Sequence, residues 1–287
     1  MGKVFDALEK AGSAEELSRS RPTPSPPEEP KSGRKRKKEL KRPAGKVPGP
    51  VAGNWDERLV NASITNAPVA ESFRTLRTRI LHPFQGDPPR SLLITSASPG
   101  EGKSFVCANL GVVLAQGVDQ YALMVDCDLR KPALHDLFGL PNDQGLVNFL
   151  RDRDDVGEII LKAGVDKLSL IPAGPPPVNP SELLGSGTMG RLVDELTSRY
   201  DDRIILFDSP PMQAASETAI LAQHVDGVVL VVRWGGSRRE YVQDLVELIG
   251  RDKIVGLVFN AYKTNVLEAR MFGSYEYQQK YYYAHGR

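Results

Sequence analysis

At 287 residues and 40% hydrophobic composition, the chain can bury a full core, and it reads as one domain with tails. No apolar run reaches the roughly 18 residues that a bilayer span requires, and MGKVFDALEK carries charges where a secretory signal has its apolar stretch. The net charge of +1 hides an asymmetry, because residues 1–50 hold 13 Lys/Arg against 7 Asp/Glu and leave 24 against 29 for the rest.

The chain opens Met-Gly, but Asp6 stands where a myristoylation signal needs Ser or Thr. Val4, Phe5 and Leu8 share one side of a possible short helix, enough for a docking peptide and too little for a fold. Eight prolines fall within the first 50 residues, several in RPTPSPPEEP, and KSGRKRKKELKR (31–42) carries most of the basic excess. Such a segment buries too little apolar surface to offset its ordering entropy and is expected to be a disordered linker. Its charge is either simply solvated or attracted to an anionic membrane face, at about 1 kcal/mol per basic residue. No nucleic acid is expected as a partner, since no recognition module accompanies the charge.

From about residue 65 the texture changes. ESFRTLRTRI reads as a helix in which Glu71, Arg74 and Arg77 recur every third residue, within about a third of the circumference. Read from the residues alone, it is a solvent-facing helix with i,i+3 ion pairs. Short apolar runs then recur: SLLITS (91–96), YALMVD (121–126), KLSLIP (167–172), RIILFD (203–208), GVVLVVR (227–233) and IVGLVFN (254–260). Helix-like stretches such as SFVCANLGVVLAQG and MGRLVDELTSRY lie between them. Strands apolar throughout and alternating with helices predict a doubly wound α/β domain with a mostly parallel sheet covered on both faces. Ligands of such folds bind beyond the carboxyl ends of the strands, which here carry Ser96, Asp126, Asp208, Arg233 and Asn260.

The first strand runs into ASPGEGKS (97–104), a phosphate-binding loop pattern with Ala97 in place of the commonest first glycine. Gly100 and Gly102 let successive N–H groups curl toward phosphates, Lys103 can reach the β- and γ-phosphates, and Ser104 can place its hydroxyl on Mg²⁺. Ser98, Pro99, Gly100, Glu101, Gly102, Lys103, Ser104 and Phe105 are therefore the nucleotide-contact candidates. The next strand delivers ALMVDCDLRKP. Asp126 and Asp128, two residues apart, project from one side of an extended strand and repel each other unless a cation lies beside them. RIILFDSPP ends in Asp208, the expected carboxylate of a phosphate-loop NTPase that meets Mg²⁺ either directly or through a bound water. Arg130 and Lys131 read equally well as phosphate or subunit contacts and as plain surface ion pairs. Cys107 and Cys127, twenty residues apart, lack metal-ligand spacing and read as small semi-buried thiols of a reducing cytosol.

The trio ASPGEGKS, LMVDCDLRKP and ILFDSPP resembles the Walker A, A′ and B motifs of the bacterial tyrosine kinases, the capsule and exopolysaccharide autokinases of the CpsD/CapB type. NPSELL (179–184), GVVLVVRWGGSRR (227–239) and GLVFNAY (256–262) agree with it, and Glu71, Arg74 and Arg77 match the family's E-x-x-R-x-x-R oligomerisation motif. The resemblance covers roughly residues 65–287, and MGKVFDALEK looks like the opening of some exopolysaccharide autokinases. It implies an ATP- and Mg²⁺-dependent protein-tyrosine autokinase in which Lys103, Asp126, Asp128 and Asp208 are catalytic and Ser104, Asp128 and Asp208 hold the metal. It also implies a membrane-spanning activator, a ring-like homo-oligomer, sugar-nucleotide enzymes as possible substrates, and a cytoplasmic chain recruited to the inner face of the membrane.

The chain ends GSYEYQQKYYYAHGR. Tyr275, Tyr277, Tyr281, Tyr282 and Tyr283 are five of only nine tyrosines, and almost no aliphatic residue accompanies them. They read either as flexible phosphate acceptors or as amphipathic anchors for a partner, and the resembled family ends in such an acceptor cluster. The expected layout is thus an N-terminal segment 1–60, a kinase domain 61–272 and a tyrosine tail 273–287. Chromosome-partitioning ATPases of the same fold are one alternative, although their loop carries an early lysine where Ser98 stands. A nucleotide-sensing adaptor that transfers no phosphate is the other.

Overall fold

The first described element, a short helix, already lies inside the expected N-terminal segment 1–60 and buries Leu59 in the core, and the core elements then alternate as the apolar pattern predicts. The structure is a computed structural model that describes residues 54–65, 67–152, 155–200, 202–214 and 216–261. The docking peptide, the proline-rich and basic stretches and the tyrosine cluster lie outside the described residues. In chain order the regular elements are α1 (Glu57–Val60), α2 (Ala67–Leu81), β1 (Ser91–Ser96), α3 (Lys103–Ala115), β2 (Tyr121–Asp126), α4 (Leu134–Phe138) and α5 (Leu146–Asp152). There follow β3 (Leu161–Lys162), β4 (Leu168–Ile171), α6 (Pro180–Leu184), α7 (Gly187–Arg199), β5 (Arg203–Asp208), α8 (Glu217–His224), β6 (Gly227–Arg233), α9 (Arg239–Ile249) and β7 (Ile254–Asn260).

Seven strands form one sheet in the order β3-β4-β2-β5-β1-β6-β7. Every pairing is parallel except β3 with β4. Side chains alternate across each strand, and that alternation sorts the apolar runs into two cores. Leu93, Leu123, Val125, Ile205, Phe207 and Leu230 face the cluster formed with α5, α7, α8 and α9. Leu92, Ile94, Met124, Leu206 and Val231 face the cluster formed with α2, α3 and α4. Strands covered on both sides gain from apolar residues at every position, which is why SLLITS and RIILFD show no polar alternation.

β7 departs from the expected pattern. It is the edge strand, and its Val255, Leu257 and Phe259 are 42%, 49% and 57% exposed. Its register with β6 also shifts between Val228 and Val229. IVGLVFN is therefore covered well on one face only, a consequence of its place at the end of the sheet.

α3 crosses the sheet centrally and is buried along almost its whole length. Close approach to β2 depends on Gly111, where an added Cβ would lie 2.7 Å from the Met124 sulfur and 3.3 Å from Leu168 Cδ1. Gly111→Val should accordingly overpack this contact and lower stability by about 1–3 kcal/mol, read from the denaturant midpoint at unchanged slope. An unchanged midpoint would show the helix–sheet contact to be soft.

Candidate nucleotide and phosphoryl-transfer site

The site lies where β1, β2, β5, β6 and β7 end, because parallel strands deliver their carboxyl-terminal residues to one edge. The loop after β1 turns through Gly100 and Gly102 at φ 75° and 92°, a region open to glycine at no steric cost. α3 starts at Lys103 with no side chain capping its first turn, so its leading N–H groups and positive end face the loop's concavity, as anion binding requires. Lys103 is buried on the same turn, Ser104 and Phe105 are half-buried, and Pro99 is exposed.

The loop is braced from both sides. Ser96 Oγ donates to Ser98 O at 2.8 Å, and Ser98 Oγ donates to Gln213 Oε1 at 3.3 Å. Gln213 N donates to Ala97 O at 3.3 Å, tying the loop to the segment after β5. Across the loop, Arg233 Nη1 donates to Gly100 O at 3.2 Å and Asn260 Nδ2 donates to Glu101 O at 2.8 Å. Ser237 Oγ donates to Glu101 Oε1. Gly102 is required twice over, since a Cβ there would sit 2.0 Å from Asn260 Nδ2. Three of the five strand-end residues, Ser96, Arg233 and Asn260, thus shape the phosphate loop.

The other two, Asp126 and Asp208, are opposite one another in the β2–β5 register and fully buried. Asp126 Oδ1 accepts from Asp128 N at 3.2 Å, while Oδ2 accepts from Ala133 N and Leu134 N, both at 3.0 Å. Asp128 Oδ1 accepts from Lys131 N at 3.1 Å. The Asp-x-Asp segment is therefore a loop wound around its own carboxylates. Burial, and after it the charge of Asp208, pushes the Asp126 carboxyl well above its ordinary range against the pull of the Leu134 and Ala133 N–H groups.

Asp208 contrasts with Asp126. Neither of its oxygens has a hydrogen-bond partner of ordinary geometry. Burial raises its pKa to about 7, with Asp128 adding to the rise while the Ser104 hydroxyl and the Lys103 ammonium hold it down. An enclosed carboxylate without partners, beside a hydroxyl and a second carboxylate, fits a divalent cation. Among the described residues no three His, Cys, Asp or Glu side chains form a metal cage by themselves. That matches Mg²⁺, which takes one or two carboxylates and completes its shell with water and phosphate oxygens. Ser104, Asp128 and Asp208 are the residues that would hold it. Cys107 and Cys127 are free and buried, and burial followed by the nearby carboxylates pushes both thiols up, which suits packing and not reactivity.

The E-x-x-R-x-x-R residues divide. Glu71 and Arg74 form the expected i,i+3 pair at 3.0 Å, and both are exposed. Arg77 turns inward, and its Nη1 donates to Val113 O at 2.8 Å in the last turn of α3, capping a carbonyl at the negative end of that helix. Arg130 finds an internal partner in Glu217 at 3.1 Å. Sequence reasoning missed Glu217, because a lone glutamate in a first turn reads as an ordinary complement to the helix dipole.

Glycine-rich loop, helix amino terminus, buried lysine and paired strand-end carboxylates define a phosphate-loop nucleoside-triphosphate-binding protein. No protein-family model matches the chain. It is 37% identical over 196 residues to the tyrosine-protein kinase YwqD of Bacillus subtilis, covering 68% of this chain and 81% of that one. It is 32% identical over 210 residues to the tyrosine-protein kinase Wzc of Salmonella typhimurium, covering 72% of this chain but 29% of that longer protein. Among solved structures, the kinase domain of the Escherichia coli tyrosine kinase ETK matches with a TM-score of 0.64 at 30% identity, over 72% of this chain and 82% of that one. The chimerical protein CapA2B2 matches with a TM-score of 0.65 at 32% identity, over 73% and 92%. The chain belongs to the bacterial tyrosine kinases, and its nucleotide is ATP with Mg²⁺. Among the described residues no helix is long and apolar enough to cross a membrane.

The pKa of Asp208 gives a signed prediction. Its folded value, about 7, lies above the ordinary 3.8, so the ionised form opposes folding in the nucleotide-free protein. That penalty is absent below about pH 4, grows between pH 4 and 7 and is complete above. Asp208→Asn should therefore melt higher than wild type at pH 8, by about 1–4 kcal/mol of stability, with the gap closing toward pH 4. Differential scanning calorimetry without nucleotide or metal reads this directly, and equal melting at both pH values would contradict it.

Proposed function

We propose that the chain is a protein-tyrosine autokinase of capsule or exopolysaccharide synthesis, which phosphorylates Tyr275, Tyr277, Tyr281, Tyr282 and Tyr283 on neighbouring copies of itself. The single observation that carries the catalytic part is the buried Asp208 carboxylate at the end of the phosphate loop, which feels the Ser104 hydroxyl and the Lys103 ammonium and has no other partner of ordinary hydrogen-bond geometry. ATP with Mg²⁺ supplies the phosphoryl group and neutralises its developing charge. Lys103 and the loop N–H groups hold the phosphates. Asp128 and Asp208 hold the metal together with the Ser104 hydroxyl. A tyrosine hydroxyl, with pKa near 10, is a poor nucleophile at neutral pH, and Asp126 accepts its proton through the one lone pair that its three backbone donors leave open, as the phenol oxygen bonds the γ-phosphorus and ADP leaves with the β–γ bridging oxygen. Burial and the charge of Asp208 raise the Asp126 pKa above the ordinary carboxylate range, which strengthens it as a base.

Residues 61–272 form the kinase domain in this reading, 273–287 the acceptor tail and 1–60 the N-terminal segment. The partner is a membrane-spanning activator that draws the kinase to the inner face of the membrane, and sugar-nucleotide enzymes are further substrates. The exposed Glu71–Arg74 pair faces a neighbouring subunit, while Arg77 stiffens the α2–α3 contact behind it. Five phosphates would add roughly −8 to −10 charges per tail, so full phosphorylation disperses the ring.

Purified protein incubated with Mg-ATP and probed for phosphotyrosine tests the reading. Wild type should label on the tail, while folded Lys103→Met should lose at least about 100-fold in rate, as loss of a principal phosphate-charge donor predicts. Labelling of folded Lys103→Met at a rate near wild type, or hydrolysis without any phosphotyrosine in wild type, would overturn it. Asp126→Asn should lower kcat and remove the acidic limb of its pH profile at unchanged Mg²⁺ requirement; a raised Mg²⁺ requirement would make Asp126 a metal residue instead. In sedimentation, Arg74→Ala should lower both the oligomer fraction and the autophosphorylation rate. Loss of neither returns Glu71 and Arg74 to a surface ion pair.

A further inference from the structure

The loop carrying Asp128 is anchored at its root by Asp126 and at its far end by a contact that the phosphate chemistry does not explain. Glu217 opens α8, nine residues after Asp208, and its side chain is only 3% exposed. Glu217 Oε1 accepts from Arg130 Nη2 and from Ser181 Oγ, each at 3.1 Å. Arg130 Nη2 also donates to Ser181 Oγ at 2.7 Å. Three segments distant in the chain meet in this triangle: the Asp-x-Asp loop through Arg130, the NPSELL helix α6 through Ser181, and the stretch after β5 through Glu217.

Stability alone is a poor reason for such an arrangement. An ion pair with one partner buried and the other half in water adds little net stability, because desolvation of the carboxylate and solvent screening of the guanidinium offset the attraction. What the triangle supplies is geometry. Arg130 follows Asp128 by two residues, and the intervening backbone is closed by the Lys131 N–H on Asp128 Oδ1. On the other side, the Thr218 hydroxyl donates to Pro210 O at 3.3 Å and Gln213 N reaches Ala97 O. The segment bearing Glu217 is thus tied to the Asp208 turn and to the phosphate loop at once.

We infer that Glu217 is a positioning residue for phosphoryl transfer: through Arg130 and Ser181 it holds the Asp-x-Asp loop so that Asp128 stays beside Asp208. The inference rests on the kinase reading and on Asp128 as a metal-side carboxylate. Arg130 is 41% exposed and Glu217 is not, so the two ends of the pair differ. Removing Glu217 returns a guanidinium to water, whereas removing Arg130 strands a buried carboxylate and costs more stability.

The test uses the full chain and the variants Glu217→Ala, Glu217→Gln, Ser181→Ala, Arg130→Ala and the double variant lacking both charged partners. Two quantities are read for each: the tyrosine autophosphorylation rate across a Mg²⁺ titration at saturating ATP, and the affinity for a fluorescent adenine nucleotide with and without Mg²⁺. Glu217→Ala should lower kcat about 10-fold and raise the Mg²⁺ midpoint severalfold, as loss of a residue orienting a metal ligand does. Mg²⁺-free nucleotide affinity should stay near wild type. Glu217→Gln keeps an acceptor for Arg130 and Ser181 and should recover at least half of the loss. The double variant should be no slower than the slower single, since both changes cut one contact. Additive losses, or a folded Glu217→Ala with wild-type rate and Mg²⁺ midpoint, overturn the inference. Should Glu217→Ala not fold, Ser181→Ala and Glu217→Gln carry the same comparison. Should wild type show no phosphotyrosine, the kinase reading fails on its own, and the Mg²⁺ dependence of nucleotide affinity still decides the role of Glu217.

Discussion

Three carboxylates, those of Asp126, Asp128 and Asp208, are held within one another's fields at the carboxyl edge of the sheet, two of them without any solvent exposure. Like charges enclosed together cannot all ionise cheaply, and most of the local architecture answers that difficulty. Asp126 is met by three backbone N–H groups. Lys103 and Ser104 lie at the opposite side and offset part of the charge on Asp208. The remainder of that charge favours uptake of a cation.

Sheet topology makes the juxtaposition possible. β5 lies between β1 and β2, so the strands ending in the phosphate loop, in Asp126 and in Asp208 are immediate neighbours although their sequences are far apart. Their register places Asp126 opposite Asp208, and two stacked cores, one per face, fix that register against sliding. β6 and β7 extend the same edge and use it differently: Arg233, Ser237 and Asn260 grip the phosphate loop from beside. The last strand thus ends in a residue that touches the loop, one position before the chain continues toward its tyrosines.

Much of this was legible in the sequence because the relevant signals are local. SLLITS, YALMVD, RIILFD, GVVLVVR and IVGLVFN coincide with β1, β2, β5, β6 and β7, since strands buried on both faces announce themselves as uninterrupted apolar runs. The glycines, lysine and serine of the phosphate loop were equally plain. What was hidden depends on distance or on edges. β3 is two residues long and carries no pattern of its own. KLSLIP shortens to Leu168–Ile171, and Lys167 instead donates to the carbonyls of Gly117 and Val118 in the turn between α3 and β2. Nothing in IVGLVFN tells that one face stays exposed. Arg77 and Glu217 find partners 36 or more residues away, and no spacing rule within a helix reports such contacts.

The central claim is that the carboxylate cluster is partly protonated until a cation arrives. Calorimetric titration of Mg-ATP into the full chain at pH 7, repeated in buffers of different ionisation enthalpy, tests it most directly. The account predicts a binding enthalpy that varies linearly with buffer enthalpy, with a slope showing partial proton release at pH 7 that fades as the pH rises, because the Asp208 carboxyl, raised to about 7, must ionise to meet the metal. A binding enthalpy independent of buffer at pH 7 would mean that the cluster is already fully ionised without its cation, and would contradict the account.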